Sequence, residues 1–292
     1  NKRTGKALEQ RIKAVNGRLP VTLANDDDVQ RQLEQEDKRI AQTFAYMKRL
    51  TGFPVLRNAS AQYYPVGELL FEQMLSALKE AKRYVFIEYF IVQEGVLWQS
   101  MVEVMEQKVQ EGVDIRVLYD DIGSIGTFSH KNRKSLLKKG IKCEKFNPMI
   151  VLSGALNNRD HRKIMVVDGM VAFSGGINLA DEYINKVVRF GYWKDTGIRL
   201  EGEGVWSFTI MFLEMWCYIT RSMEADISQF RPEKYQTVPF AADGYVQPYA
   251  DSPLDSETTG ENIYMNMINR AKDYVYIFTP YLIPDNEMIK AL

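Results

Sequence analysis

A layered α/β fold built on a largely buried, mixed sheet is what this sequence predicts, and three observations carry the prediction. From Val66 onward, stripes of helical period alternate with β-rich apolar runs. Asp168-Gly169 sits between two such runs, which is the strongest short-range hairpin signal. The segment Ala81-Lys82-Arg83-Tyr84-Val85-Phe86-Ile87 also recurs as Ala271-Lys272-Asp273-Tyr274-Val275-Tyr276-Ile277, identical at five of seven positions. That recurrence marks a repeated helix-to-strand unit.

Taken in order, residues 1–18 carry Lys2, Arg3, Lys6, Arg11, Lys13 and Arg18 against Glu9 alone. This is the pattern either of a solvated basic end or of a segment lying on the cytoplasmic side of a membrane anchor. Asp26, Asp27 and Asp28 open a charged stretch to Arg49 that reads as a linker or an exposed helix. Gly67 to Lys82 places Leu70, Met74, Leu75 and Leu78 on one helical face and runs into YVFIEYFIV at 84–92, a buried strand. Leu97, Met101, Met105 and Val109, four apart, define a second helix that ends at Gly112 before a strand from Val113 to Tyr119. Further strands are predicted at Ile141 to Phe146, Lys163 to Val167, Met170 to Phe173 and Thr196 to Leu200. Trp206 to Tyr218 is an aromatic-rich helix with Glu214 inside it, and packing against the sheet is favoured over membrane contact. The organisation expected is a basic segment and charged linker over 1–60, one complete α/β repeat over 61–250, and the start of a second repeat over 251–292.

The 292 residues are 46% hydrophobic and 26% charged, which excludes a disordered or collagen-like chain. Thirty-seven Lys plus Arg against 38 Asp plus Glu leave a net charge of -1, so no global basic field for nucleic acid exists and an anionic substrate must be met by local charge. Two cysteines, Cys143 and Cys217, are too few for a disulfide framework, and two histidines, His130 and His161, argue against a multi-histidine metal site. No metal and no cofactor are expected. No apolar run reaches the ~18 residues of a membrane span.

The chemistry concentrates in NRDHRKIMVVDGMVAFSGGIN, residues 158–178. His161 and Lys163, two apart on a strand, point the same way and set an imidazole beside an ammonium. Gly175 and Gly176 remove side chains where the backbone can approach a ligand, and Asn178 offers an amide donor. Together these groups describe a phosphate site. Asp168, as first residue of the Asp-Gly turn, has a structural reading that is favoured over direct chemistry. Asp120 and Asp121 read as loop and cap residues, and His130 as a surface residue. Met149 to Leu152 reads either as a buried strand or as a loop dipping into lipid.

His161-x-Lys163, four residues, Asp168, six residues, then Gly175-Gly176-x-Asn178 resembles the HKD motif of the phospholipase D superfamily. The likeness is strongest to bacterial cardiolipin synthases and extends through YVFIEYFI at 84, GVDIRVLYDDIGS at 112, NNRDHRK at 157, GGINLADEYIN at 175, WKDTGIRLEG at 193 and TPYLIPD at 279. The resemblance implies a phospholipase D-like α/β/α layered fold, duplicated, with two HKD motifs behind N-terminal membrane helices. It implies transfer of a phosphatidyl group from one phosphatidylglycerol to another, with release of glycerol. His161 would be the nucleophile that forms a phosphatidyl-histidine, and a partner histidine the general acid. Lys163 and Asn178, with the bare backbone of Gly175 and Gly176, would hold the phosphate oxygens. Asp168 completes the catalytic motif. Asp195 is the candidate for orienting the His161 Nδ1 proton, with a helix or strand cap as its alternative. This chain departs from the pattern in having one HKD motif and no membrane helix. At the repeat offset, a second histidine would fall at roughly position 351, so the chain reads as a fragment of a longer protein. The expected partners are phosphatidylglycerol, an anionic membrane, and either a second repeat or a second copy as a homodimer, with no nucleic acid. The expected location is the cell membrane, catalytic domain on the cytoplasmic side. The alternatives are a phospholipase D-type hydrolase and a non-catalytic half-site.

Overall fold

A computed structural model describes residues 26–147, 159–189, 191–222, 226–231, 244–251 and 258–292. The basic segment 1–18 and the Met149 to Leu152 stretch therefore lie outside the described residues. The chain divides into two compact units, one containing Leu56–Pro248 and one formed by Thr22–Val55 with Tyr249–Leu292.

The first unit is built on a seven-stranded sheet. Its strands are β1 (Ala59–Tyr64), β2 (Tyr84–Tyr89), β3 (Asp114–Asp120), β4 (Lys142–Phe146), β5 (Lys163–Val167), β6 (Val171–Gly175) and β7 (Gly197–Gly202), in the order β1-β7-β6-β5-β2-β3-β4. β2, β3 and β4 run parallel, because helices connect them, while the hairpin at Asp168-Gly169 makes β5 and β6 antiparallel and the rest of that half follows. The predicted mixed α/β sheet is thus observed.

α3 (Gly67–Glu80) and α4 (Val96–Gln110) cover one face, and their predicted stripes are the buried ones: Leu70, Met74 and Leu78, then Leu97, Met101 and Met105. They meet Val85, Ile87, Tyr89, Val117, Met165 and Phe173 from the strands. The connection from β3 to β4 carries α5 (His130–Lys138), where His130 is exposed in the first turn. α6 (Val205–Thr220) covers the opposite face. There the Phe212 ring stacks on Phe86 with centroids 4.4 Å apart, so this aromatic helix is a sheet-packing element. Arg116 lies over Phe86, Trp216 and Phe230 at 5.3–5.5 Å, with its charge held by Asp114 at 2.8 Å.

Two elements differ from expectation. β1 is not signalled in the sequence because ASAQYY has no apolar alternation; it forms as an edge strand registered along the whole of β7. β2 ends at Tyr89 rather than 92, because the next backbone donors are diverted: Ile91 N donates to Asn178 Oδ1 at 3.1 Å and Val92 N to Ser124 Oγ at 3.0 Å.

In the second unit the charged stretch forms two helices, α1 (Asp26–Glu36) and α2 (Lys38–Thr51). Asp37 separates them and caps α2 through Arg39 N and Ile40 N. The recurrent segment gives its helix, α7 (Thr259–Arg270), followed by α8 (Asn286–Ala291). Its strand does not form: Tyr274 to Ile277 lies in no ladder among the described residues, and Tyr276 is 77% exposed. A strand exists only against a neighbour, and none pairs with it here.

Candidate active site

The site lies where the carboxyl ends of β2 and β3 meet the start of β5, because β5 runs antiparallel to β2 and pairs Lys163 with Tyr89. Loops leaving parallel strands gather at that end of such a sheet. His161 precedes β5 and is exposed, with its imidazole 4.8 Å from the Phe90 ring centroid. Lys163 is 7% exposed. Its Nζ donates to the His161 carbonyl at 2.6 Å and lies 5.5 Å from the Phe90 ring centroid. That leaves ammonium hydrogens for a ligand.

Electrostatics follow from the burial. Desolvation first, and the Lys163 charge second, lower the His161 pKa below the usual imidazole range, against the opposing pull of Asp160 and Asp120. Burial brings Lys163 down to about 8, although Asp160 and Asp195 favour its charged form. An imidazole with a lowered pKa thus lies beside a lysine that is still charged at neutral pH.

The remaining predicted residues fall in three places. Asp195 stands at the edge of this site. A Cβ on Gly176 would collide with its carboxylate, which accepts from Thr196 N at 2.8 Å and Trp193 Nε1 at 3.2 Å. Its charge is felt by Lys163. The imidazole of His161 has no hydrogen bond among the described residues, so the expected Asp195–His161 contact is not made. Gly175 and Gly176 are required for close approach of the chain itself, since a Cβ on Gly175 would meet Thr196 O and Gly197 Cα. Asn178 is 3% exposed, and its amide is engaged by the Ile91 N–H and by donation to Tyr183 Oη at 2.8 Å. It therefore shapes the loop beside the site.

Asp168 is removed from the chemistry. It sits at the far end of β5, about 15 Å along the strand from Lys163, with φ 54°. Its carboxylate accepts from the backbone N–H groups of Lys82, Arg83 and Tyr84 at 2.8, 2.8 and 2.9 Å. It is a clasp between the hairpin and the start of β2. Asp120 is likewise structural: fully buried, it accepts from Ile122 N, Gly123 N and Asp160 N at 2.9–3.0 Å and so ties the end of β3 to the loop that carries His161.

Sequence reasoning missed the groups behind the histidine. Glu88, Asp160 and Glu214 are buried carboxyls around the partly buried Arg162. The available signal was Glu88 itself, a lone acid inside the apolar run YVFIEYFIV.

A histidine and a lysine two apart at the head of one strand, in a mixed sheet layered by helices, define a phospholipase D-like α/β domain. Residues 74–188 match the family described as cardiolipin synthase, PLD-like domain. A protein of Streptococcus mutans serotype c described as uncharacterized is 48% identical over 268 residues, spanning 91% of this chain and 57% of its own. The cardiolipin synthase of Alkalihalophilus pseudofirmus is 33% identical over 270 residues, spanning 90% of this chain and 53% of that protein. The solved phosphatidylserine synthase of Haemophilus influenzae Rd KW20 shares the fold with a TM-score of 0.59 at 13% identity, covering 87% of this chain and 62% of the other. The chain spans about half the length of the curated relatives it matches.

Proposed function

We propose that this chain carries the nucleophilic half-site of a phosphatidyltransferase that makes cardiolipin at the cytoplasmic face of a membrane. The observation that carries the reading is the exposed, neutral His161 beside the buried cation of Lys163, in a domain that matches the cardiolipin synthase family. Neutral His161 attacks the phosphorus of phosphatidylglycerol and forms a P–N bond as the glycerol oxygen leaves, taking a proton from a partner histidine. Lys163 stabilises the charge that gathers on the non-bridging oxygens. The primary hydroxyl of a second phosphatidylglycerol then gives its proton to that partner, attacks phosphorus and frees His161. The partner histidine comes from a second repeat or from a second copy of the chain. No helix among the described residues is long and apolar enough to cross a membrane. Association with anionic lipid is therefore assigned to the whole protein.

Phosphatidylglycerol vesicles incubated with wild type and His161→Ala, followed by lipid mass spectrometry, test the reading. Cardiolipin with glycerol, lost in the variant, is expected. Phosphatidic acid would make the protein a hydrolase. Turnover untouched by His161→Ala would overturn the mechanism, and inactivity of the wild type would leave a binding half-site.

A further inference from the structure

Glu88 lies on the fully buried central strand β2, on the face that carries Phe86 toward α6, and it is 0% exposed. Every charged group that faces it is also buried or nearly so. From the segment entering β5 come Asp160 and Arg162; from α6 comes Glu214. β3 offers Arg116, whose guanidinium is spent on Asp114 at 2.8 Å. Arg162 is the cation nearest Glu88, while Asp160 also acts on the ammonium of Lys163. A buried carboxylate without a donor is costly, and such a group neutralises by taking up a proton.

The hydrogen bonds point to where a proton goes. Asp160 Oδ1 accepts from Arg162 N at 3.2 Å, closing a tight turn with His161 at its apex, and Asp160 N donates to Asp120 Oδ2 at 3.0 Å. Among the described residues Asp160 Oδ2 has no donor, nor has either carboxyl oxygen of Glu88. Arg162 Nη1 is 3.6 Å from Glu88 Oε1, beyond hydrogen-bonding distance, and donates to the Met211 carbonyl at 3.3 Å instead. Of the charged groups around Glu88, Asp160 acts on it most strongly, and both are buried. A hydrogen on Glu88 supplies the missing donor to Asp160 Oδ2 and removes one buried charge in the same step.

We propose that Glu88 holds a proton and donates it to Asp160, and that this buried carboxyl–carboxylate bond locks the turn that presents His161. Glu88 is then a positioning residue, acting through Asp160 from behind the sheet. Burial, and next the charge of Asp160, raise its proton affinity well above that of an ordinary glutamate. Glu214, pushed up to about 7 by burial, is the second reservoir of charge in the cluster.

Infrared spectroscopy of the full chain tests the protonation directly. At neutral pH the wild type is expected to show protonated-carboxyl C=O absorption of which one component is lost in Glu88→Gln, leaving that of Glu214, and is kept in Glu214→Gln. Stability gives an independent reading. A proton bound in the folded state but released from the unfolded chain gives stabilisation that is complete below the unfolded pKa of about 4.3 and is lost as pH rises toward the folded value. The thermal midpoint of wild type should therefore fall relative to Glu88→Gln as pH is raised from about 5 to about 9. The kinetic half of the proposal rests on His161 being the reacting group. Glu88→Gln keeps a donor for Asp160 and should hold kcat within about threefold, whereas Glu88→Leu should lower kcat about tenfold or more at unchanged KM. A wild-type spectrum lacking that component, or a Glu88→Leu variant as active as wild type, would overturn the proposal. Should Glu88→Leu fail to fold, that component and the pH dependence of the Gln variant decide. Should the wild type turn over no phosphatidylglycerol, the proposed function fails while that component still decides on the pair.

Discussion

Desolvation acts on the exposed His161 and the buried Lys163 in opposite functional senses. In the proposed mechanism, a depressed imidazole pKa widens the pH range in which the nucleophile is neutral, while a depressed ammonium pKa narrows the range in which the oxygens meet a cation. The pH profile of kcat/KM should accordingly be a bell, with an acid limb below the usual imidazole range and an alkaline limb near 8. Lys163→Arg should push the alkaline limb upward, because a guanidinium keeps its charge; an unmoved limb would assign it to another group. Asp168 belongs to the same motif and lies at the far end of β5, bonded to the start of β2. Asp168→Ala removes the acceptor of three backbone donors and leaves a non-glycine residue in the left-handed region, and should cost about 2 kcal/mol in urea unfolding. Activity should fall only in proportion to the folded fraction. The motif's spacing is legible in the sequence, but the tasks of Asp168 and Asn178 are not. A carboxylate or amide is drawn to whichever N–H groups the fold brings near, and those come from residues 82–84 and 91, far off in the chain.

The elements with strong periodicity were the ones open to prediction. α3, α4, β2 and β5 carry long apolar patterns, so their existence and buried faces follow from the hydrophobic effect alone. β1 lacks such a pattern and gains its conformation only by pairing with β7, while Tyr274 to Ile277 has the pattern and lacks a pair. Pairing between strands thus decides where local preference does not. The junction of β6 and β7 shows the same principle at the site. Gly176 is there so that Asp195 can lie against the backbone, and Gly176→Ala should push that carboxylate from Trp193 and Thr196. We expect about a tenfold loss of kcat with an unchanged circular dichroism spectrum. A fully active Gly176→Ala protein would show that the placement of Asp195 is immaterial to turnover.

For the molecule as a whole, one HKD motif in a chain about half the length of its curated relatives makes the source of the second histidine the decisive question. If two copies complete the site, specific activity should rise with protein concentration and saturate as the dimer fills; a linear rate at all concentrations would place both acid and nucleophile within one chain. The outermost strand pair bears on how such a chain is made. Asn58 Nδ2 donates to Glu203 Oε1 at 3.2 Å across a separation of 145 residues, and all of β1 is registered on β7. During synthesis at ~5–20 residues per second, β1 emerges roughly 7–30 s before the strand it pairs with exists. Its central residues Ala61, Gln62 and Tyr63, which face water in the finished sheet, let it wait in solvent. Within this sheet the earliest strand translated is thus among the last to dock, and the sheet closes only when β7 leaves the ribosome.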